Sequence, residues 1–159
     1  MDNKHLQPTP SNDFPHRSRQ FWQTTPLEQL SPAEWEALCD GCGKCCLHKA
    51  EDQDSGAVYY TDIACHLLDL HACRCSDYAN RHVNVPDCIS FSATDIGNMH
   101  WLPDTCAYRL RYLNEPLYDW HYLLAGNREA IHSAGESVRD FAELDHGQDW
   151  EEHILYFKP

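Results

Sequence analysis

The clearest pattern of apolar and polar residues in the first part of the chain lies just before its first cysteine. Ser31 can cap a helix, Pro32 suits the first helical position, and Glu34 completes a capping box with Ser31. Trp35 and Leu38 are three residues apart, so they share one face of such a helix, and we expect both to point inward. The pattern predicts a short helix that leads directly into the cysteine-rich run.

A β-hairpin is predicted after that run. Residues 47–51 and 57–61 flank a polar segment, residues 52–56, whose aspartates and glycine are typical of a turn. Residues 65–70 fit either a strand or a single helical turn, because the apolar run is too short for its period to decide.

The second half of the chain predicts several short elements. Residues 73–78 predict a turn that enters a short helix, residues 86–91 predict an extended segment, and the residues after it predict a helix that runs through Met99. Residues 103–113 predict a further helix, which carries on one face Cys106, Leu110 and Leu113.

Three other segments have a distinct composition. The aromatic-rich residues 118–124 are expected to cover the core. Residues 136–152 carry seven acidic side chains against Arg139 alone, which indicates a solvated acidic surface. Residues 1–20 hold three prolines among polar residues without any period, and we interpret them as a flexible N-terminal arm.

The overall charge limits the partners of the protein. Its 159 residues carry a formal net charge of −13, which repels phosphate backbones and therefore argues against nucleic-acid binding. The longest apolar runs are only a few residues, so no segment is expected to span a membrane. The first residues lack the apolar stretch of a signal peptide, and we expect the protein in the cytoplasm, where disulfides are rare.

Nine cysteines between residues 39 and 106 dominate the chemistry of the chain. Four of them form the run C-x2-C-x2-C-C at residues 39–46, in which a glycine after the second cysteine lets backbone N–H groups turn toward the sulfurs. Metal ligation explains this clustering best, since a soft cation stabilises neighbouring thiolates. Disulfides are disfavoured because adjacent Cys45 and Cys46 pair poorly in a trans backbone and because the count is odd. Buried inert thiols, or a redox thiol pair, would also account for some of these cysteines.

The candidate metal ligands are eight of the nine cysteines. Cys73 is the expected odd thiol, because it is one residue removed from Cys75 in a turn where side chains diverge. His48 and His66 sit beside candidate cysteines and are weaker candidates. The predicted ligands are Cys39, Cys42, Cys45, Cys46, Cys65, Cys75 and Cys88, with Cys106 as a second-tier member.

The spacing leaves the metal open between zinc and iron. The run C-x2-C-x2-C occurs in iron–sulfur proteins of the ferredoxin type, but the proline that follows the fourth cysteine there is replaced by Leu47 here. The C-x2-C-Gly start is equally typical of tetrathiolate zinc or iron sites. Eight or nine thiols can serve two four-coordinate sites, or one cluster in which sulfurs bridge neighbouring ions.

These observations predict a small single domain of the α+β class at residues 21–155. We expect short helices and one or two β-hairpins, organised around a cysteine metal cluster. A chain of this length has a modest core, and metal binding would add to its stability.

Several motifs, in a fixed order, resemble one known family. The run at residues 39–46 is followed by Cys65-x2-Leu68-Asp69, by Cys75-x2-Tyr78-x2-Arg81 and by Pro86-x-Cys88, an order similar to that of the bacterial CxxCxxCC (YkgJ-like) family. Members of that family are described as zinc- or iron-chelating proteins. Segments 43–49, 58–61 and 101–109 resemble its YcgN-type subgroup most.

The resemblance covers about residues 20–155 and implies a metal-binding cysteine domain, without implying a reaction. The chain departs from many relatives in the four residues between Arg81 and Pro86, which makes Cys88 a less secure ligand.

The sequence thus predicts a small cytoplasmic metalloprotein that binds zinc or iron, an iron–sulfur cluster included, for metal handling or for regulated interaction with a protein partner. One rival hypothesis is an iron-dependent enzyme with an open coordination position. Another is a structural zinc scaffold for protein–protein interaction, which would be colourless and would unfold when chelated.

Overall fold

The computed structural model of the protein describes residues 20–159. Residues 1–19, which make up nearly all of the predicted arm, lie outside the described residues. The described α-helices are α1 (Phe21–Thr24), α2 (Pro32–Leu38), α3 (Arg81–Asn84), α4 (Ala107–Tyr112), α5 (Tyr122–Ala125) and α6 (Ala130–Ser133). The described strands are β1 (Leu47–Glu51), β2 (Val58–Ala64), β3 (Leu68–Asp69), β4 (Arg74–Cys75) and β5 (Glu143–Leu144). Short 3₁₀ helices span Leu27–Gln29, Lys44–Cys46, Tyr78–Asn80, Ile96–Asn98, Val138–Asp140 and Trp150–His153.

Helix α2 forms as predicted. The hydroxyl of Ser31 accepts the Glu34 N–H at 3.2 Å, and the Glu34 carboxylate accepts the Ser31 N–H at 2.8 Å. Leu38 is fully buried, and Trp35 packs against the same core. The helix ends at Leu38, so Cys39 is held at its C-terminal end.

The predicted hairpin is formed by β1 and β2, which pair antiparallel from Leu47 opposite Ala64 to Glu51 opposite Val58. Strand β5 then pairs parallel with β2, giving the strand order β1-β2-β5. Strands β3 and β4 form a separate antiparallel pair, so residues 65–70, which fit either a strand or a helical turn, contain a strand. The predicted α+β class of a small single domain is confirmed.

The buried side chains form two clusters on either side of the cysteine-rich run. We call the first the helical core, which consists of Leu27, Leu38, Ile96, Leu102, Cys106, Ala107, Tyr108, Leu110 and Leu117. We call the second the sheet core, which consists of Leu47, Tyr60, Ala64, Leu68, Cys73 and Val138. Trp101 packs against both, and its carbonyl accepts the Tyr60 hydroxyl at 2.6 Å.

Helix α4 is shorter than predicted. It begins at Ala107, directly after Cys106, and ends at Tyr112. Leu110 is buried, whereas Leu113, which the apolar period predicts on the same helical face, is not. Leu113 lies just past the end of the helix and is 49% exposed, because the chain leaves the core there.

The acidic C-terminal segment is more ordered against the sheet than its composition indicates. Most of its carboxylates are exposed, as predicted. Its backbone nevertheless contributes β5, and the Leu155 N–H donates to the Tyr60 carbonyl at 2.7 Å. In residues 20–159 no helix is both long enough and apolar enough to cross a membrane.

Candidate metal centre

The loop at residues 39–46 has the backbone geometry that the C-x2-C-Gly spacing predicts. Gly41 and Gly43 both adopt the left-handed conformation, with φ of +78°. The turn at Gly43 aims the Lys44 N–H at the sulfur of Cys42, with a donor–acceptor distance of 3.4 Å. A hydrogen bond of this kind lowers the cost of a thiolate at Cys42.

Four thiols interact through their charges, namely Cys39, Cys42, Cys45 and Cys106, and of these Cys45 and Cys106 pack in the helical core. Cys39 follows the end of α2, and Cys106 precedes the start of α4. The two helices are joined by the Trp35 and Tyr108 rings, whose centroids are 4.6 Å apart, and by a 2.7 Å hydrogen bond from the Tyr108 hydroxyl to the Trp35 carbonyl. This packing holds together the two helices whose ends carry Cys39 and Cys106, which are far apart in sequence.

The charges of these thiols act on one another. Burial raises the pKa of Cys39 to about 12, and the charges of Asp40 and Cys45 contribute to this increase. Burial likewise raises the pKa of Cys42 and of Cys106, and in both cases Cys45 and Cys39 add to the effect. Cys39 is exposed as a residue, yet protein atoms around its sulfur desolvate the thiolate. Without a cation, these four groups are therefore held as neutral thiols near neutral pH.

A second set of charge interactions links Cys46, Cys65, Cys75 and Cys88, and of these Cys46 packs against the sheet core. The Cys65 N–H donates to the Cys46 carbonyl at 2.8 Å, which ties the end of β2 to the start of β1. Cys75 is brought in by β4, where it pairs with Leu68 of β3.

The thiols of the second group also affect one another's pKa values. Burial raises the pKa of Cys46 to about 12, and Cys45, Cys65 and Cys75 contribute to this increase. Burial also raises the pKa of Cys88, where Arg81 opposes the shift and Cys65 and Cys75 add to it. Cys88 thus lies near the second group despite the longer segment that precedes it.

Cys73 packs in the sheet core, next to Gly43 of the cysteine-rich loop. It is buried, has a φ of +53°, and directs its sulfur toward the Leu70 carbonyl at 3.5 Å. Burial raises the pKa of Cys73, and Ser137 and Arg139 oppose that shift. Its status as the odd thiol stays a prediction.

Lys49 is a residue that sequence reasoning missed. Its ammonium donates to the carbonyls of Cys45 at 3.0 Å and Leu47 at 2.7 Å, and it lies over the rings of Tyr60 and Trp101 at 4.9 and 5.0 Å from their centroids. Burial lowers the pKa of Lys49, and the charges of Cys45, Cys46 and Cys42 oppose this. A lysine on a strand carries no sequence signal for such a position, because its side chain is expected to reach solvent.

Asp40 is a second missed residue. It is buried, its Oδ1 accepts the Cys42 N–H at 3.0 Å, and its charge acts on four thiols. An aspartate that bonds a backbone N–H two residues on is a common turn device, so its place directly after Cys39 could have indicated this role.

The weaker candidates are engaged elsewhere or exposed. Nε2 of His48 lies 2.9 Å from Oδ2 of Asp145, and its ring stacks on Trp150 at 4.2 Å. His66 is exposed.

The residues present fit a soft metal ion by their chemistry. All nine cysteines are free thiols, and sulfur is a donor that both zinc and iron accept. Among residues 20–159, no three Cys, His, Asp or Glu side chains stand in a metal-coordinating arrangement. Four thiolates around one divalent ion would satisfy the coordination that zinc and iron prefer.

Comparison with known proteins agrees with this chemistry. The CxxCxxCC family, described as a "Putative zinc- or iron-chelating domain", matches residues 38–107. A UPF0260 protein of Mesorhizobium japonicum is 56% identical over 119 residues, which is 75% of this chain and 80% of the relative. The chain belongs to the UPF0260 family.

Further UPF0260 relatives extend the match over most of the chain. One from Pseudomonas putida is 52% identical over 139 residues, covering 86% of this chain and 93% of its own length. One from Vibrio parahaemolyticus is 51% identical over 140 residues, covering 87% and 95%. No solved structure matches the chain significantly.

Proposed function

We propose that this UPF0260 protein holds zinc or iron through eight cysteines and serves in metal handling. The observation that supports the proposal is the clustering of nine free cysteines between residues 39 and 106, in a segment that matches a zinc- or iron-chelating family. A soft cation displaces the protons of neighbouring thiols and removes the repulsion between the resulting thiolates. The proposed ligands are Cys39, Cys42, Cys45, Cys46, Cys65, Cys75, Cys88 and Cys106.

Two finer assignments belong to the same proposal. We place the protein in the cytoplasm, because free thiols in this number persist in a reducing compartment. We assign it to the YcgN-type subgroup on the strength of segments 43–49, 58–61 and 101–109.

Purification without oxygen, followed by elemental analysis and a visible spectrum, tests the proposal and separates the metals. Colourless protein with bound zinc would exclude iron, whereas absorption that bleaches with a reductant would indicate an iron–sulfur cluster. Protein that is folded, metal-free and unable to take up zinc or ferrous iron would contradict the proposal.

A pair of variants tests the ligand assignment. Cys42→Ser should lose metal and stability together, since binding energy is folding energy in such sites. Cys73→Ser should keep the metal content of the unchanged protein. Equal metal content and equal melting temperature in the two variants would mean that the ligands are wrongly assigned.

A further inference from the structure

Strand β2 is paired on both sides only in its second half. On one side it pairs antiparallel with β1. On the other side, β5 pairs with the last two residues of β2, and Thr61 forms a single bridge with Ile154. Among residues 20–159, no residue pairs with Val58 or Tyr59 on this second side. Residues 58–60 therefore form an edge of the sheet, which we call the open edge.

The backbone groups of Val58 point out of the sheet at the open edge. The Asp52 N–H donates to the Ala57 carbonyl at 2.8 Å, which places the backbone groups of Ala57 on the β1 side. Successive residues of a strand present these groups to opposite sides, so Val58 presents its N–H and C=O away from β1. The Tyr60 carbonyl, two residues further on, accepts the Leu155 N–H at 2.7 Å on that same outer side. Unpaired groups of this kind can pair with an added strand.

A cavity of about 260 Å³ lies against the open edge. It is lined by residues 57–60, 100–101 and 155–158. Three aromatic residues of this lining are exposed to solvent: Tyr59 by 40%, Tyr156 by 88% and Phe157 by 67%. Exposed apolar side chains grouped around a cavity are typical of an interaction site.

The chain that follows Leu155 does not close the open edge. It bends at Tyr156 and Phe157. The Lys158 ammonium then donates to the Asp104 carboxylate at 3.0 Å and to the His100 carbonyl at 3.1 Å. Residues 156–158 are thus tied to the loop before α4, and the Lys158 charge is already paired.

The charges around the open edge are acidic. Glu51 of β1 lies opposite Val58, and the exposed hairpin turn beside it carries Asp52 and Asp54. The chain as a whole has a formal net charge of −13. Two copies of this chain would therefore repel each other, whereas a basic segment would be attracted.

We propose that the open edge binds an extended, basic segment of another protein, which adds to β2 as a further strand. The backbone of that segment pairs with Val58, and one of its apolar side chains enters the cavity beside Tyr59 and Phe157. Lysines or arginines on either side of the apolar residues face the acidic surroundings. In this mode of recognition, backbone hydrogen bonds supply affinity and the cavity supplies specificity.

Fluorescence anisotropy of the full chain with a labelled peptide of sequence KKTVTVTKK tests the proposal. The same peptide, N-methylated at its three central residues, lacks donors on both of its edges and should bind at least about tenfold more weakly. The peptide EETVTVTEE should also bind more weakly, because its charge has the opposite sign. Binding of the basic peptide should slow hydrogen exchange at the Val58 amide, measured by NMR.

One variant and its control locate the contact. Phe157→Ser removes an aromatic wall of the cavity and should weaken binding of the basic peptide by about fivefold. Val83→Ser is the matched control, because Val83 is an exposed apolar residue of α3 that does not line the cavity. It should bind the peptide as tightly as the unchanged protein does.

Several results would overturn the proposal. They are the absence of peptide binding, equal binding of the N-methylated peptide, and equal loss of binding in the Phe157→Ser and Val83→Ser variants. A dimer in sedimentation that Phe157→Ser converts to a monomer would show that a second copy occupies the open edge instead. None of these results bears on metal binding, so the proposed function stands or falls separately.

Discussion

At the scale of single residues, Gly43 is tightly constrained. Its φ is +78°, and a Cβ there would lie 2.7 Å from Cγ2 of Val138 and 3.3 Å from Cβ of Cys73. We expect Gly43→Ala to lower the free energy of unfolding by about 2–4 kcal/mol, because left-handed strain and overpacking add. Urea denaturation measures the loss.

Gly126 provides the control for this change. It has the same φ of +78°, but a Cβ there would meet no atom within 4 Å. Gly126→Ala should therefore lose only the strain contribution, about 1–2 kcal/mol. Equal losses in the two variants would show that the close approach to Val138 has no energetic weight.

Replacing Lys49 tests how much a positive charge beside the cysteines contributes to metal affinity. Lys49→Met keeps the apolar stem near Tyr60 and Trp101 and removes the ammonium. We expect metal affinity to fall by about 10- to 100-fold, as for other groups that support metal ligands. Competition with a chromophoric zinc chelator measures the change.

Lys158→Met is the matched control for Lys49, since the Lys158 ammonium bonds Asp104 at 3.0 Å and the His100 carbonyl at 3.1 Å, away from the cysteine-rich run. Its zinc affinity should equal that of the unchanged protein. If Lys49→Met also keeps full zinc affinity, the Lys49 ammonium does not contribute to metal binding, and its role is limited to its hydrogen bonds with the Cys45 and Leu47 carbonyls.

At the scale of elements, helix α2 depends on its N-terminal cap. The Ser31 hydroxyl accepts the Glu34 N–H, so Ser31→Ala should lower the free energy of unfolding by about 1 kcal/mol. Thermal unfolding of the metal-loaded protein detects this loss. Ser133→Ala, at an exposed position in α6, should change stability by less than about 0.5 kcal/mol.

The elements that the sequence predicts correctly are those with local causes. Helix α2 follows from its capping box, and the β1–β2 hairpin follows from the turn at residues 52–56. Strand β5 could not be predicted, because two acidic-segment residues form it only by pairing with β2. The prediction for Leu113 fails for the same kind of reason, since the position at which α4 ends is not encoded by its apolar period.

At the scale of the whole molecule, His121 makes stability depend on pH. Its Nδ1 accepts the Leu123 N–H at 3.1 Å, so Nε2 carries the proton and donates to the Leu38 carbonyl at 2.8 Å. Burial lowers the pKa of His121 from 6.5; the Leu38 carbonyl and Asp40 oppose this shift, and Arg128 adds to it. The neutral ring therefore links α5 to the end of α2.

The sign of the pH effect follows from the lowered pKa. The unfolded chain binds the proton more readily, so the contribution of His121 is fully present above pH 6.5 and is lost as the pH falls through the lower folded-state pKa. His121→Asn should be less stable at about pH 7.5 but should lose less stability on going to about pH 5.5. Urea denaturation at both pH values checks this, and parallel losses would contradict it.

The sequence predicts which residues make up the candidate site, but not how those residues are arranged. Spacing alone points to the eight cysteines and sets Cys73 aside. It cannot show how the segments that carry them pack, because that depends on long-range contacts such as those between α2 and α4. It also misses Lys49, whose burial is a consequence of its packing on Tyr60 and Trp101.

The single peptide bond between Cys45 and Cys46 has a consequence for how the two cores depend on each other. Cys45 packs against the helical core and Cys46 against the sheet core, so a distortion of the backbone at this bond reaches both clusters at once. The two cores should therefore melt together in one transition when the protein is heated.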